Sequence, residues 1–524
     1  MRHYTTTIIG AILLIMTFSS CREDSDILEN YGYDDELAWA AADTSFAAKF
    51  KIIWKGLNQN YAIWDYEAEH GVDWDAVYDE YYPQFEALDK RGKDETVTDA
   101  ELLDLLKKVL DPLHDGHFSL GMVNHKTGNT LRIVPSADRN SGRDDYNYTY
   151  TFAPRFDYYV NNNEVETDAD GNPIVMEFST EPDEIIVKFV TTPGLGFQWM
   201  ISRVNELRAM PSRTEMQEFE LTNLLKLNNA MASAGQNFYD VNFYNSLQAQ
   251  YSFLNIPGFD SIDPIFSSKG INIKYALLKG NIAYFRVNNF RLQPYLSETE
   301  FNKTFGKCDA QTQSMAKQIK NIWQNWFDTI QALHKNGNLG GVIIDVRSNG
   351  GGNIDDYPYC LGALLPEGGI QIGYLRYKHG TGRFDYSVLT PDIAKTMSDP
   401  HEIITEPIVV LTNCRTISMA EMTTMGAKII SNGTVIGTRT WGARCPIAPN
   451  STYSQRYVCS IGEQGKTPVF ATIPAAATIT NEKKFVEGVG IAPDIEVAFD
   501  NNLFNTTGQD TQFDRALKFI RTGE

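Results

Sequence analysis

Apolar residues recur with a helical period early in the chain: Phe46, Phe50, Ile53, Trp54 and Leu57, then Leu102, Leu103, Leu105, Leu106, Val109 and Leu110. Positions three and four apart share one helix face, so residues 36–112 read as helices that turn an apolar stripe to a core. Asp73-Trp74-Asp75, between the two runs, is the expected start of a further helix. From about residue 276 the texture changes. Ile282–Val287, Gly341–Val346, Ile408–Leu411 and Thr434–Gly437 read as strands, with helices expected near 312–335 and 418–431. Strands alternating with helices predict an α/β domain of sheet and helix layers. Residues 126–275 follow no single period and read as a mixed α+β region. Tyr146 to Phe152 alternates like a strand, Asp170-Gly171-Asn172-Pro173 is a turn, and 197–232 looks helical.

These patterns divide the chain into an N-terminal helical domain (36–125), the middle region (126–275), a catalytic-type α/β domain (276–505) and a C-terminal helix (506–524). Gly194-Leu195-Gly196-Phe197 matches the carboxylate-binding loop of PDZ domains, but nothing around it reads as the rest of that fold. The middle region is therefore a degenerate or replaced PDZ domain, or none. At the N-terminus Arg2 precedes the apolar run Ile8–Met16 and the small residues that end at Cys21. The run is too short to span a bilayer, which takes about 20 apolar residues. It reads as a secretory signal over residues 1–20. Small residues ending directly in a cysteine resemble a bacterial lipobox, which implies a lipidated Cys21 followed by an acidic tether over 21–35. The tether resembles the export signal of surface lipoproteins in Bacteroidetes. The expected place is the bacterial cell envelope, as an outer-membrane lipoprotein facing the periplasm or the outside, with the lipid as the sole membrane contact.

Composition narrows the functions. The formal net charge of −20 opposes a nucleic-acid partner, because phosphate backbones are bound by an excess of Lys and Arg. The cysteines after Cys21 are Cys308, Cys360, Cys414, Cys445 and Cys459, an odd number without a CxxC pair and no zinc framework. Cys445 and Cys459 flank a turn-rich stretch where pairing is open.

Four segments carry candidate chemistry. Asp345-Val346-Arg347-Ser348-Asn349-Gly350-Gly351-Gly352-Asn353 follows a buried strand. It lacks the Lys and Ser/Thr of a phosphate loop, but its glycines can aim amide hydrogens at a developing oxyanion. Thr416-Ile417-Ser418-Met419-Ala420-Glu421 opens a helix, so Ser418 is either a nucleophile at a positive helix end or an N-cap paired with Glu421. Leu113-His114-Asp115-Gly116-His117-Phe118 supplies two imidazoles three residues apart, with no third metal ligand nearby; a base needs only one of them. Glu487 lies in the glycine-rich stretch Phe485–Ile495.

In this order the segments resemble the C-terminal processing (tail-specific) and tricorn-type serine peptidases. Gly280–Val287 with Phe290 is similar to the family's entry strand, and Asp345–Asn349 with Gly351-Gly352 to its glycine loop. Thr416–Glu421 is similar to its nucleophile motif, and Gly437–Gly442 and Gly490–Asp494 to two further signatures. The resemblance implies a ClpP/crotonase-like layered catalytic domain and a serine endopeptidase acting on peptides or unfolded protein tails without metal or organic cofactor. The family's lysine design is disfavoured, since Ala443 fills that slot and Arg444 does not lose its proton. The resemblance then implies the tricorn-type set: Ser418 as nucleophile, His117 as base and Glu487 as its orienting carboxylate, which would raise the imidazole pKa. Oxyanion donors would be the amides of Gly351 or Gly352 and of Met419. The family pattern has a serine directly before this histidine, where the chain has Gly116. His114 is expected to be structural. Two other readings stand beside this one: an inactive binding protein on the peptidase fold, and a glycan binder using Tyr146, Tyr148, Tyr150, Phe152, Tyr158 and Tyr159.

Overall fold

The computed structural model describes residues 45–91, 97–146, 154–179, 203–210, 212–233, 271–308, 310–380, 382–447, 460–461 and 468–524. The expectations for the signal segment, Cys21, the tether, Gly194–Phe197 and Cys459 fall outside these residues. Among the described residues no helix is long and apolar enough to cross a membrane.

The N-terminal stripes fold as the helices Phe46–Asn60, Trp74–Asp89 and Asp99–Leu110, capped by the side chains of Ser45, Asp73 and Thr98. Each cap oxygen accepts an amide that the first helical turn leaves unpaired. Phe46, Phe50, Ile53 and Leu57 pack with Leu102, Leu106, Val109 and Leu110 in one core. That core does not end at residue 125. Ser119–Val123 and Thr130–Ile133 form a hairpin across the expected boundary, and Ser119–Val123 also pairs antiparallel with Val469–Thr472. Leu120 and Met122 alternate into the helical core while Gly121 faces the Phe470 ring, so the pattern is a strand's, too short to stand out in the sequence. The N-terminal unit is thus sewn to the C-terminal part by a shared sheet.

The central sheet has seven strands: β1 Val175–Ser179, β2 Asn272–Leu278, β3 Ile282–Val287, β4 Gly341–Asp345, β5 Ile408–Thr412, β6 Gly433–Gly437 and β7 Ile495–Glu496. They lie side by side in chain order, antiparallel from β1 to β3 and parallel from β3 to β7. Phe285, Ile344, Val410 and Val435 are in register across four strands. This row packs with Trp326 of the helix Ala310–Lys335 and with Met419 and Ala427 of the helix Met419–Ile429. One residue back, Tyr284, Ile343 and Val409 point the other way, onto Phe513, Ala516 and Leu517 of the helix Thr511–Thr522. Burial on both faces is why these strands read as continuous apolar runs. The C-terminal helix covers one face of the sheet and so is part of the α/β domain. A separate sheet joins Ile370–Tyr377 to Thr390–Ala394 and Ala476–Ile479.

In the middle region Glu215–Ser233 is helical, as is 203–209, with a break between them. The Asp170–Pro173 turn is present, with Gly171 at φ +83°. Of the aromatic series, Tyr146 and Tyr159 are buried, Tyr146 stacking on Trp441 and Tyr159 packing on Phe513. Their rings serve the core and leave no platform for a sugar at those two positions.

Candidate active site

The parallel strands β4, β5 and β6 all release their loops at one edge of the sheet, where α/β folds place ligands. The loop after β4 is held by charge. Buried Arg347 donates from Nε to Asp345 Oδ1 at 3.0 Å, from Nη2 to Asp345 Oδ2 at 2.7 Å, and from Nη1 to Asp510 Oδ1 at 3.0 Å and Gln512 Oε1 at 3.1 Å. Burial works to raise the Asp345 pKa, but the Arg347 and Arg286 guanidiniums outweigh it and hold the carboxyl below its usual range. Asn349 Nδ2 donates to the carbonyl of Val287 at 2.8 Å, and the amide of Ile417 donates to the carbonyl of Asn349 at 3.0 Å. These residues shape the glycine turn.

Both glycines are sterically required. A Cβ on Gly351, at φ +88°, would lie 2.6 Å from Ser418 Cβ, and one on Gly352 would lie 2.3 Å from the Phe290 carbonyl oxygen. The three expected oxyanion donors separate here. The Gly351 amide is committed to Asn349 Oδ1 at 2.8 Å, so it is not free to bind an oxyanion. The amides of Gly352 and Met419 donate to no described residue.

Ser418 closes the turn after β5. The Thr416 hydroxyl ties that turn down by donating to the carbonyl of Val346 at 2.9 Å. Ser418 and Glu421 form a capping box, with the Ser418 amide donating to Glu421 Oε2 at 3.2 Å. A capping serine normally sits in the extended region, whereas Ser418 has φ +58° and ψ −118°. Such a backbone is strained for any residue with a Cβ, and capping does not require it. It is the kind of sharp strand-to-helix turn that projects a nucleophile. Glu421 then reaches further. It accepts from the Thr440 hydroxyl at 2.6 Å, the Gly442 amide at 2.9 Å and the Ala443 amide at 2.7 Å. Burial raises its carboxyl pKa against the pull of those bonds. Ala443, in the lysine slot, is fully buried.

The segment His114–His117 docks on that same loop. A Cβ on Gly116 would lie 2.0 Å from the Gly442 carbonyl oxygen, which is the physical reason for glycine where the family pattern has serine. Trp441 Nε1 donates to the Gly116 carbonyl at 3.2 Å and Ser136 Oγ does so at 2.8 Å. An unbroken series of contacts therefore runs from Ser418 through Glu421 and Gly442 to Gly116 and His117. No hydrogen bond joins Ser418 to His117 among the described residues. His114 turns away, its Nδ1 on Glu67 Oε2 at 2.7 Å, as a structural residue would.

Glu487 is fully buried close to His117. Its Oε1 accepts from the Gly116 amide at 2.8 Å, and its Oε2 accepts from the amides of Arg444 and Cys445, each at 2.7 Å. It makes no hydrogen bond to His117. One donor atom from each of Asp115, His117 and Glu487 lies within 4.8 Å of the others, the one such group of potential metal ligands among the described residues. The Cys445 thiol also donates to Glu487. With all about four lone-pair positions of that carboxylate taken, the trio is poorly suited to a metal ion and better described as a proton-handling cluster. Burial pushes the Glu487 pKa up to about 7, and it pushes the His117 imidazole down to about 4. The expected upward shift of His117 is therefore reversed: lost hydration outweighs the hydrogen bond of the imidazole with the Cys445 backbone. Asp115 sits in the same cluster, and the only sequence signal for it is an acid two residues before the histidine. Cys308, Cys360, Cys414 and Cys445 are free thiols.

The sequence profile of Peptidase family S41 matches residues 281–497. The Tricorn protease of Thermoplasma volcanium is 27% identical over 180 residues, 34% of this chain and 14% of that protein, so the chain spans a small part of its curated relative. Among solved structures, a candidate peptidase from Parabacteroides merdae is 17% identical with a TM-score of 0.45, covering 92% of this chain and 98% of that one. Mature CPAF is 10% identical with a TM-score of 0.42, covering 92% and 97%. Residues 281–497, which hold the glycine loop, the strained serine and Glu487, thus match peptidase family S41, and within this chain 180 residues are similar to a tricorn protease.

Proposed function

We propose that the protein is a serine endopeptidase of the bacterial cell envelope that cleaves peptides or unfolded protein tails. The observation that carries this reading is Ser418, held at φ +58° at the start of a helix and against Gly351. In the reaction Ser418 Oγ attacks the peptide carbonyl carbon while His117 takes its proton. The tetrahedral oxyanion is met by the amides of Met419 and Gly352, each such donor contributing about 3–4 kcal/mol in comparable enzymes. The intermediate collapses, His117 passes the proton to the leaving amine, and water then hydrolyses the acyl-enzyme by the same route in reverse. A lowered His117 pKa suits the base, because the ring is neutral at pH 7. Glu487 stabilises the imidazolium through space. The chemistry needs no metal or organic cofactor, and the acidic chain has no nucleic-acid partner.

The second reading, an inactive binding protein on the same fold, is favoured by the absent Ser418–His117 hydrogen bond, though such bonds often tighten only with substrate. A fluorophosphonate probe decides between them. Covalent labelling of the wild type, lost in Ser418→Ala together with casein cleavage, is the expected result. Labelling that survives in Ser418→Ala puts the nucleophile elsewhere, and no labelling of the wild type means a binding protein. Attachment through a lipidated Cys21 is part of the same proposal, supported by the Ile8–Met16 run before it. Mass spectrometry of the mature N-terminus tests it: an unmodified terminus beyond Cys21 means simple secretion.

A further inference from the structure

Two buried polar atoms in the segment Asp115–His117 lack partners and complement each other. Asp115 is fully buried. Its Oδ1 accepts from the amides of His117 at 2.6 Å and Phe118 at 2.7 Å, while its Oδ2 has no partner. His117 Nδ1 is likewise buried without a partner. A buried donor or acceptor left unpaired costs more than a hydrogen bond gains, so two such atoms in one site call for an explanation. Glu487 is unsuited to receive Nδ1–H, because three amides and the Cys445 thiol already occupy it.

We propose that Asp115 is the positioning residue of His117: its Oδ2 accepts the Nδ1–H, which fixes the tautomer that leaves Nε2 free to take the Ser418 proton. The inference rests on the peptidase reading and deepens it. One carboxylate oxygen of Asp115 and one ring nitrogen of His117 lie within 4.8 Å, a separation that rotation of the ring closes to a hydrogen bond. The two amides on Oδ1 keep the carboxylate in place and leave Oδ2 unpartnered, and they are a local Asx turn that moves with the histidine itself. The pairing has to work against burial. Burial raises the Asp115 pKa well above the carboxylate range, and Glu487 and Glu67 add to the rise. A donated Nδ1–H is the interaction that returns the proton to the imidazole and the charge to Asp115. The other groups facing the site are the Cys445 backbone, which hydrogen-bonds the imidazole, Tyr61, whose phenol bonds Glu67, and Arg139, whose guanidinium goes to the backbone carbonyls of His114 and Asp115. Glu487 then acts as the scaffold, clamping Gly116 to the loop at Arg444 and Cys445.

The test is nitrogen NMR on protein labelled in its eight histidines, with the His117 signals identified by their loss in His117→Gln. The expected wild-type state is the Nδ1–H tautomer with a strongly downfield ring proton. Asp115→Asn keeps the Oδ1 acceptor but presents an amide donor to the ring, so it should flip His117 to the Nε2–H tautomer. Its kcat should fall about 10²–10⁴-fold with KM nearly unchanged, as for a triad whose acid is amidated. Glu487→Gln should leave the Nδ1–H signal in place. An Nε2–H tautomer in the wild type overturns the proposal, and that measurement needs no variant to fold. A lowered kcat in Asp115→Asn with an unchanged tautomer overturns it too, since the role would be structural. An Asp115-dependent Nδ1–H tautomer in a protein that cleaves nothing upholds the proposal and refutes the peptidase reading.

Discussion

Replacing Ser418 with glycine should make the protein more stable while abolishing its chemistry. The serine sits at φ +58° and ψ −118°. Left-handed or otherwise sparse backbone states cost about 1–3 kcal/mol for residues with a Cβ, and glycine removes that cost. Two terms oppose the gain. The unfolded chain becomes freer, worth about 0.4–1 kcal/mol, and exchanging a capping serine for glycine loses a few tenths more. The net expectation is a gain of about 1 kcal/mol, or roughly 2–4 °C in Tm for a domain of this size. Ser418→Ala removes the hydroxyl but keeps the Cβ, so it should lie about 1–2 kcal/mol below the glycine variant. Urea unfolding of the three proteins at one pH is the assay, with fluorophosphonate labelling to show that neither variant reacts. A glycine variant less stable than the wild type would refute the reasoning, because a serine that only capped a helix would lose by that exchange.

Other perturbations test the supports of the site. The unfolded chain protonates His117 from about pH 6.5 downward, whereas the folded protein waits until about pH 4, so this residue removes stability as pH falls through that window. Glu487 works in the opposite sense: it holds its proton up to about pH 7 in the fold, so stability falls as pH rises from about 4.5. Unfolding at a series of pH values should show His117→Gln flattening the first slope and Glu487→Gln the second, each by roughly 3 kcal/mol at most; unchanged slopes would mean that neither shift exists. Asp510→Ala leaves the Arg347 guanidinium buried with one of its two carboxylate partners and should cost about 3–5 kcal/mol, with slower fluorophosphonate labelling as the glycine loop loosens. Gly116→Ser, which restores the residue of the family pattern, forces a Cβ toward the Gly442 carbonyl and should lower stability by about 1–3 kcal/mol; a neutral result would show that the 438–443 loop can yield.

The parts of the fold that were legible in the sequence are those where one residue pattern has one packing solution. β3, β4 and β5 are apolar on consecutive residues because both faces of the sheet are covered, and the Phe46–Leu57 stripe is a helix face. The hairpin beginning at Ser119 was hidden because its partner, Val469–Thr472, lies some 350 residues away and only pairing makes it a strand. Within the site, the glycine loop and Ser418 could be seen because their chemistry is local to a few residues. Whether Gly351 offers its amide to substrate could not be, since that depends on where the Asn349 side chain folds back. The direction of the His117 shift was likewise out of reach: it depends on how much water the docked segments exclude, and sequence order carries no measure of that.

This dependence on docking explains how a histidine 301 residues before the serine can serve it. Neither half of the site is complete alone. The serine turn is fixed by Thr416, Asn349 and Glu421 within the α/β domain, while His117 rides on a segment that belongs to the helical core. The joint between them is made almost wholly of backbone amides accepted by two buried carboxylates, Glu421 and Glu487, one on each side of residues 442–445. Carboxylates that accept several fixed amides resist rotation, so they transmit position where a single side-chain contact would slip. The short loop 442–445 is therefore the common reference for nucleophile and base. It also accounts for the replacement at residue 443. A lysine there would have to bring its ammonium into a loop whose amides are already spoken for, and with the base supplied from the docked segment, alanine leaves that loop free to act as the joint.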